Sequence, residues 1–312
     1  MGISSGDLDI LIRLKEQGHL PDRASIIEIG AQQLANSFLE GRKAIDRFAH
    51  LFGVTRPCPL PGPNSTHIVH GQLEHLDPDA PRAHIFWTWL GFEYASVDID
   101  GSPDSIALDL NYDPAPERAK GKYQLVTNFG TTEHIANQLN AFKVIHDLTA
   151  PGGLMMHSLP AQGMANHGLV NYNPKFFWML ARSNGYHWLH MEYLGGSTSY
   201  DVPRNIIDHA KSFRPDIEAR LDGHRISDGG LTVVLQKVYD MEFVPPLDVP
   251  TGTTTDHKAL QDRYWTVFKA DAFDTMRRWP SGADPVPPAN PEPAPVAPMR
   301  RSGARRLFGR GT

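Results

Sequence analysis

Five short apolar stretches of the sequence end in residues that can do chemistry: Glu28-Ile29-Gly30, Asp98-Ile99-Asp100, Asp109-Leu110-Asn111, Asn128-Phe129-Gly130 and His157-Ser158-Leu159-Pro160. A carboxylate accepts several hydrogen bonds at once, which suits a pair of neighbouring hydroxyls or an exocyclic amine. A glycine leaves room for a ligand to approach the backbone, and the face of Phe129 can attract a cation. His134 follows the fourth stretch closely, and imidazole titrates near neutral pH, so it is the first candidate for a general base. His157 and His167 compete for that role. Asn166, His167, Asn171 and Tyr172 gather in a polar loop of the kind that touches substrates. Singly, each of these residues reads equally well as a turn, a helix cap or a solvated loop acid. Their order along the chain carries the argument.

That order requires strands to present the residues and helices to connect the strands. Residues 25–30, 92–101, 104–113, 123–130 and 152–160 have the composition of strands, as do 187–195 and 230–238. Helical spacing of apolar residues marks 7–17, 33–53, 84–91, 133–148, 173–186 and 256–279, with Leu260, Tyr264, Val267 and Phe268 expected on the inner face of the last. Asn173 and Pro174 are expected to cap and open the 173–186 helix. Such alternation predicts an α/β fold with a doubly wound, mostly parallel sheet. Ligands of these sheets sit beyond the carboxyl ends of the strands, where the acids and glycines fall. Residues 1–22 read as an N-terminal capping helix and 23–279 as the main domain. Four prolines between Pro57 and Pro63 mark an inserted loop at about 54–82, and 280–312 is a Pro-rich, then basic, tail expected to lie outside any core.

Composition narrows the function. The chain has 312 residues, a formal charge of -5 and one cysteine, Cys58. The charge gives no general attraction to nucleic acid, and a single cysteine excludes an intrachain disulfide and a thiolate metal cluster. The histidines 67, 70 and 75 with Glu74 lack a defined helical face, so no metal is expected there. No secretory signal is evident, and no apolar run approaches the ~20 residues of a membrane span, so a cytoplasmic protein is expected. The arginines at 300–306 and 310, around Leu307 and Phe308, can touch an acidic partner or an anionic membrane surface.

From about residue 23 to 240 the ordered segments resemble a class I S-adenosylmethionine-dependent methyltransferase. Glu28 and Gly30 match the acidic-x-glycine that closes the first strand, Asp98 the acid after the second, and Asp109-Leu110 the adenine-contacting pair after the third. "TNFGTTEH" (127–134) resembles the fourth-strand segment, and "LTAPGGLMMHSLP" (148–160) the Pro-Gly-Gly turn and fifth strand. The resemblance implies a seven-stranded Rossmann-like sheet with its last strand antiparallel and S-adenosyl-L-methionine across the strand ends. It implies cofactor contacts from Glu28, Gly30, Asp98, Asp109, Leu110, Asn128 and Phe129. With this reading His134 is the expected base, and His157, His167 and Tyr172 are expected toward a small-molecule or saccharide acceptor. The chain departs from the family after Gly30, where Ala31-Gln32-Gln33 stands in place of a further glycine. A methyltransferase-like module without turnover is therefore the second reading. An NAD enzyme is the third, disfavoured because Asp98 falls far beyond the roughly 20 residues of the dinucleotide fingerprint.

Overall fold

The computed structural model describes residues 2–62, 80–100, 105–164, 167–201, 225–250 and 252–268. The elements in chain order are β1 (Gly2–Ile3), α1 (Ser5–Glu16), β2 (Ser25–Ile29), β3 (Gln33–Leu34), α2 (Asn36–Glu40), α3 (Arg42–Leu51), α4 (His84–Leu90), β4 (Glu93–Asp98), β5 (Ser105–Ala107), β6 (Tyr123–Phe129), α5 (Gln138–Leu148), β7 (Thr149–Gln162), α6 (Pro174–Asn184), β8 (His187–Asp201), β9 (Arg225–Gln236), α7 (Lys258–Arg263) and α8 (Trp265–Phe268). Seven strands form one sheet in the order β5-β4-β2-β6-β7-β9-β8. The pairs from β5 to β7 are parallel, and β9 runs antiparallel to both β7 and β8. This is the predicted doubly wound sheet, with the strand order reversing between β2 and β6.

Strands covered by helices on both faces are apolar on both faces, and their alternate residues feed separate cores. Ile26, Leu125, Phe129, Leu154 and Met156 face one core with Leu8, Phe38, Phe48, Phe86 and Trp87. Ile27, Ile29, Val126 and Met155 face the other with Phe142, Ile145, Phe177 and Tyr186. Helix α1 opens with a capping box in which the Ser4 side chain accepts from the Asp7 N–H and Asp7 accepts from the Ser4 N–H. Leu8 and Leu11 of α1 then bury fully in the first core. On the other face, Asn173 caps α6 with Pro174 at its first position, as its sequence predicts.

Four expectations change. Residues 33–53 are not one helix. Gln33 and Leu34 pair in parallel with Gly2 and Ile3, and Gly41 both ends α2 and begins α3. The strand expected over 104–113 stops at Ala107, because Asp109 folds the next residues into a turn: its carbonyl accepts from the Tyr112 and Asp113 N–H groups and its side chain from Asn111 N. The helix expected from Glu133 starts at Gln138, after a 3-10 turn at Thr132–His134, and is capped by the Asn137 side chain. In the last predicted helix Leu260 is exposed while Val267 is buried, since the segment breaks into α7 and α8 at Tyr264. The histidines 67, 70 and 75, Glu74, Asn166 and the tail after 268 lie outside the described residues. Among the described residues no helix is long and apolar enough to cross a membrane.

Candidate active site

The turn after β2 is built by carboxylates. Glu28 is fully buried and accepts from Gln32 N (2.9 Å), Trp87 Nε1 (2.9 Å) and the Tyr94 hydroxyl (2.8 Å). Burial pushes its carboxyl up to about 7, against the pull of these donors toward the charged form. Asp98, at the end of β4, accepts from Ala31 N through Oδ2 (2.8 Å) and from Ile99 N through Oδ1 (2.7 Å). The Gln32 amide reaches the Thr127 carbonyl (3.3 Å). Thus the segment that has no further glycine is pinned from both sides. Glu28 acts as its brace: it is fully buried, and three of its roughly four lone-pair positions are taken up by protein donors.

Gly30 has φ +78°, the left-handed region that favours glycine. A Cβ there would stand 2.3 Å from Thr131 Oγ1, whose hydroxyl donates to the Ile29 carbonyl (2.6 Å). The neighbouring turn by itself already requires the glycine. Gly30→Ala is expected to lower stability by about 1–3 kcal/mol, the range for strained backbone plus a displaced neighbour, as read by urea unfolding.

Two large apolar side chains close to the strand-end acids in the chain are exposed. Ile99 is 73% exposed and Tyr112 83% exposed, beside Asp98 and the Asp109 turn. The Leu110 side chain is in the second core, so only its backbone is available to a ligand. Asn128 and Phe129 are also reassigned. Asn128 is buried, its amide donating to Thr132 Oγ1 (2.8 Å) and facing His157 Nδ1 (3.2 Å), while its carbonyl accepts from Thr132 N. Phe129 lies in the first core and presents no face to a cation.

On the far side of β6 the chain separates two sets of residues that the sequence grouped together. His157 is buried between Phe142 and Phe177, which pushes its pKa down to about 3. Tyr172 is buried with its hydroxyl 2.8 Å from Thr132 Oγ1 and 2.6 Å from Gln138 Oε1. Both are interior supports for the 132–138 turn, and neither is open to a substrate. His134 and His167 do converge, with ring centroids 5.2 Å apart and Glu133 Oε1 3.9 Å from His134 Nε2 and 3.4 Å from His167 Nε2. The sequence reading gave no role of their own to Ile99 and Gly168, and placed Glu133 only within the 127–134 segment. Glu133 stands beside His134 at the end of that segment, in a 3-10 turn ahead of α5. Gly168 follows His167, and its missing Cβ, which would lie 2.8 Å from Glu133 Cγ, lets the loop close over that residue.

A sheet of this order, with an acid-braced turn after its first long strand and a second acid at the next strand end, has the class I methyltransferase architecture. A family model described as a methyltransferase domain matches residues 63–216, which supports an S-adenosylmethionine-dependent methyltransferase of that class. Similar solved structures include the Burkholderia thailandensis 1,6-didemethyltoxoflavin-N1-methyltransferase with 1,6-didemethyltoxoflavin and S-adenosylhomocysteine bound, at 10% identity and TM-score 0.35 over 74% of this chain and 87% of that one. An Archaeoglobus fulgidus S-adenosylmethionine-dependent methyltransferase matches at 10% identity and TM-score 0.35 over 74% and 94%. Coclaurine N-methyltransferase bound to N-methylheliamine and S-adenosylhomocysteine matches at 9% identity and TM-score 0.36 over 74% and 71%. No curated protein matches the sequence. The alternative of a module without turnover gains no support from these comparisons.

The strand-end residues fit the methyl donor chemically. Asp98 accepts from Ala31 N, Ile99 N and, at 3.4 Å, Asp100 N, which leaves one of its roughly four lone-pair positions for a ribose hydroxyl, and the exposed Ile99 side chain offers apolar cover to an adenine ring.

Proposed function

We propose that the protein methylates a small molecule or a saccharide, holding the donor against Gly30, Asp98, Ile99 and the Asp109-Leu110 backbone. The observation that carries this reading is the pairing of a part-exposed carboxylate, Asp98, with a large exposed apolar side chain, Ile99, at a strand end beside the left-handed Gly30. A polar sugar and an apolar base on one ligand call for that combination. S-adenosylmethionine supplies an already activated methyl group. The chain's own contribution is then mainly alignment, with a base needed only where the nucleophile carries a proton. His134, whose side chain is 45% exposed beside the end of β6, is the group placed to take that proton.

A separate cavity, whose wall includes none of Gly30, Asp98, Ile99 or His134, lies on the α1 side of the sheet. It encloses about 510 Å³ between α1 and the strands β7 and β9, and its wall includes Asp7, Arg13, Glu16, Arg47, Ser158 and Thr232. A volume of a few hundred Å³ with mixed charges suits a polar small molecule. Burial also raises the Asp7 carboxyl above its ordinary range, against hydrogen bonds from Ser4 that pull it down.

The test is the thermal midpoint of the full chain with saturating S-adenosylmethionine, S-adenosylhomocysteine or NAD. A ligand that binds only the folded state raises the midpoint. The two adenosyl ligands are expected to raise it and NAD to leave it unchanged. A rise with NAD alone would overturn the donor assignment.

A further inference from the structure

We propose that Glu133, His134 and His167 form a site for a divalent transition-metal ion of the kind bound by imidazole and carboxylate, with Zn²⁺ as the natural probe. One ligand atom from each residue lies within 4.8 Å of the others. The Glu133 side chain is fully withdrawn from water, and neither of its carboxylate oxygens has a hydrogen-bond partner. A carboxylate in that position is costly to bury unless a cation faces it. Two imidazoles approach the same oxygen, His167 Nε2 at 3.4 Å and His134 Nε2 at 3.9 Å.

The spacing suits coordination better than simple ion pairing. Ligands about 2.0–2.2 Å from Zn²⁺ at tetrahedral or octahedral angles stand roughly 3–3.6 Å apart. The Glu133–His167 pair already meets that spacing. The Glu133–His134 pair needs to close by a few tenths of an ångström, which a half-exposed His134 side chain can do by turning. Two histidines and one carboxylate leave further positions on the ion open, the arrangement of catalytic rather than structural sites.

The site is held in place by the backbone around it. Leu169 N and Val170 N both donate to the Glu133 carbonyl (2.7 and 3.1 Å), fixing the loop that carries His167 over the turn that carries Glu133. Gly168 permits this approach, because any Cβ there would stand 2.8 Å from Glu133 Cγ and 3.0 Å from the Glu133 carbonyl oxygen. A cage assembled before the ion arrives binds it without a large ordering cost.

Ion binding stands on this geometry alone, while the role of the ion rests on the methyl-transfer reading. With that reading, an acceptor hydroxyl coordinated at an open position becomes more acidic, and its oxygen attacks the donor methyl carbon as the carbon–sulfur bond breaks toward sulfur. The hydroxyl proton leaves to solvent, and the ion takes over the task that His134 performs without it. The class of acceptor implied is one that presents an oxygen nucleophile.

The experiment is calorimetric titration of the chelator-stripped full chain with ZnCl₂, and in parallel with Co²⁺ read by its visible absorption. One ion per chain is expected. Glu133→Gln and His167→Ala are each expected to weaken binding at least about tenfold, the lower end of what even outer-shell changes do. Thermal midpoints identify any variant that fails to fold, and His167→Ala, on a loop, serves if Glu133→Gln does not. Gly168→Ala is expected to weaken binding too, with all three ligands still present. Absence of Zn²⁺ binding by the wild type, or an affinity unchanged in the folded variants, would overturn the site. S-adenosylhomocysteine binding by the stripped protein reports separately on the donor reading, so the two can fail independently.

Discussion

Asp98→Ala is expected to weaken S-adenosylhomocysteine binding by roughly 10- to 100-fold, the loss of one or two hydrogen bonds to a charged acceptor at about 1.5–3 kcal/mol. The side chain has two jobs, since it also receives the Ala31 and Ile99 N–H groups. Asp98→Asn separates them: its remaining carbonyl oxygen can keep one backbone contact while the anionic acceptor is gone. The alanine variant should therefore lose both affinity and some stability, whereas the asparagine variant should lose mainly affinity. Calorimetry with S-adenosylhomocysteine and urea unfolding on both variants measure the two effects. Unchanged affinity in Asp98→Ala would remove Asp98 from the donor site.

The second large effect concerns acid. His157 is held neutral by burial, its pKa pushed down to about 3, and His146 is pushed down to about 4 between Tyr186 and the carbonyl of Met241, with the Lys237 ammonium adding to the burial effect. An imidazole with a depressed folded pKa contributes stability that is complete above its unfolded value near 6.5 and is lost as pH falls toward the folded value. At pH 5 each histidine has given up about 2 kcal/mol. Glu28 works in the opposite direction. Its carboxyl is raised to about 7, so the folded state holds a proton that the unfolded state releases, and stability rises as pH falls from 7 toward 4.5. The wild-type curve from pH 7 to 5 therefore mixes opposing contributions, and a difference between variants isolates one of them. His157→Gln is expected to be less stable than wild type at pH 7, and the gap is expected to narrow by about 2 kcal/mol at pH 5. Urea unfolding at the two pH values reads it. A gap independent of pH would mean that His157 is not held neutral.

The sheet was legible in the sequence because buried parallel strands are runs of Ile, Val and Leu bounded by turns. The positions of Gly30 and Asp98 at strand ends were legible for the same reason, and Asp98 accepts from the N–H of Ala31, the residue after Gly30. What was not legible depends on the third dimension. Nothing local distinguishes Asn128, His157 and Tyr172, which close on one another and on Thr132 and Gln138 inside the fold, from polar residues that face a ligand. Phe129 alternates onto the α1 side of the sheet, a choice of face set by the register of β6 against β7. Glu133 was legible as part of the 127–134 segment, but the helical pattern that follows it hides the direction of its side chain. Only the packing of the 167–170 loop shows that its carboxylate points inward between two imidazoles.

The turn after β2 has one more consequence. A glycine-rich loop samples many conformations when free and must surrender them on binding. Here Glu28 and Asp98 hold the Gln32 and Ala31 amides before any ligand arrives. The ordering entropy has been surrendered at folding, so donor capture should proceed with little rearrangement of the loop and a correspondingly small entropic penalty. Restoring glycines at Ala31 and Gln32 would loosen a part that is already shaped for its task, and each would add disorder to the unfolded chain for the fold to overcome.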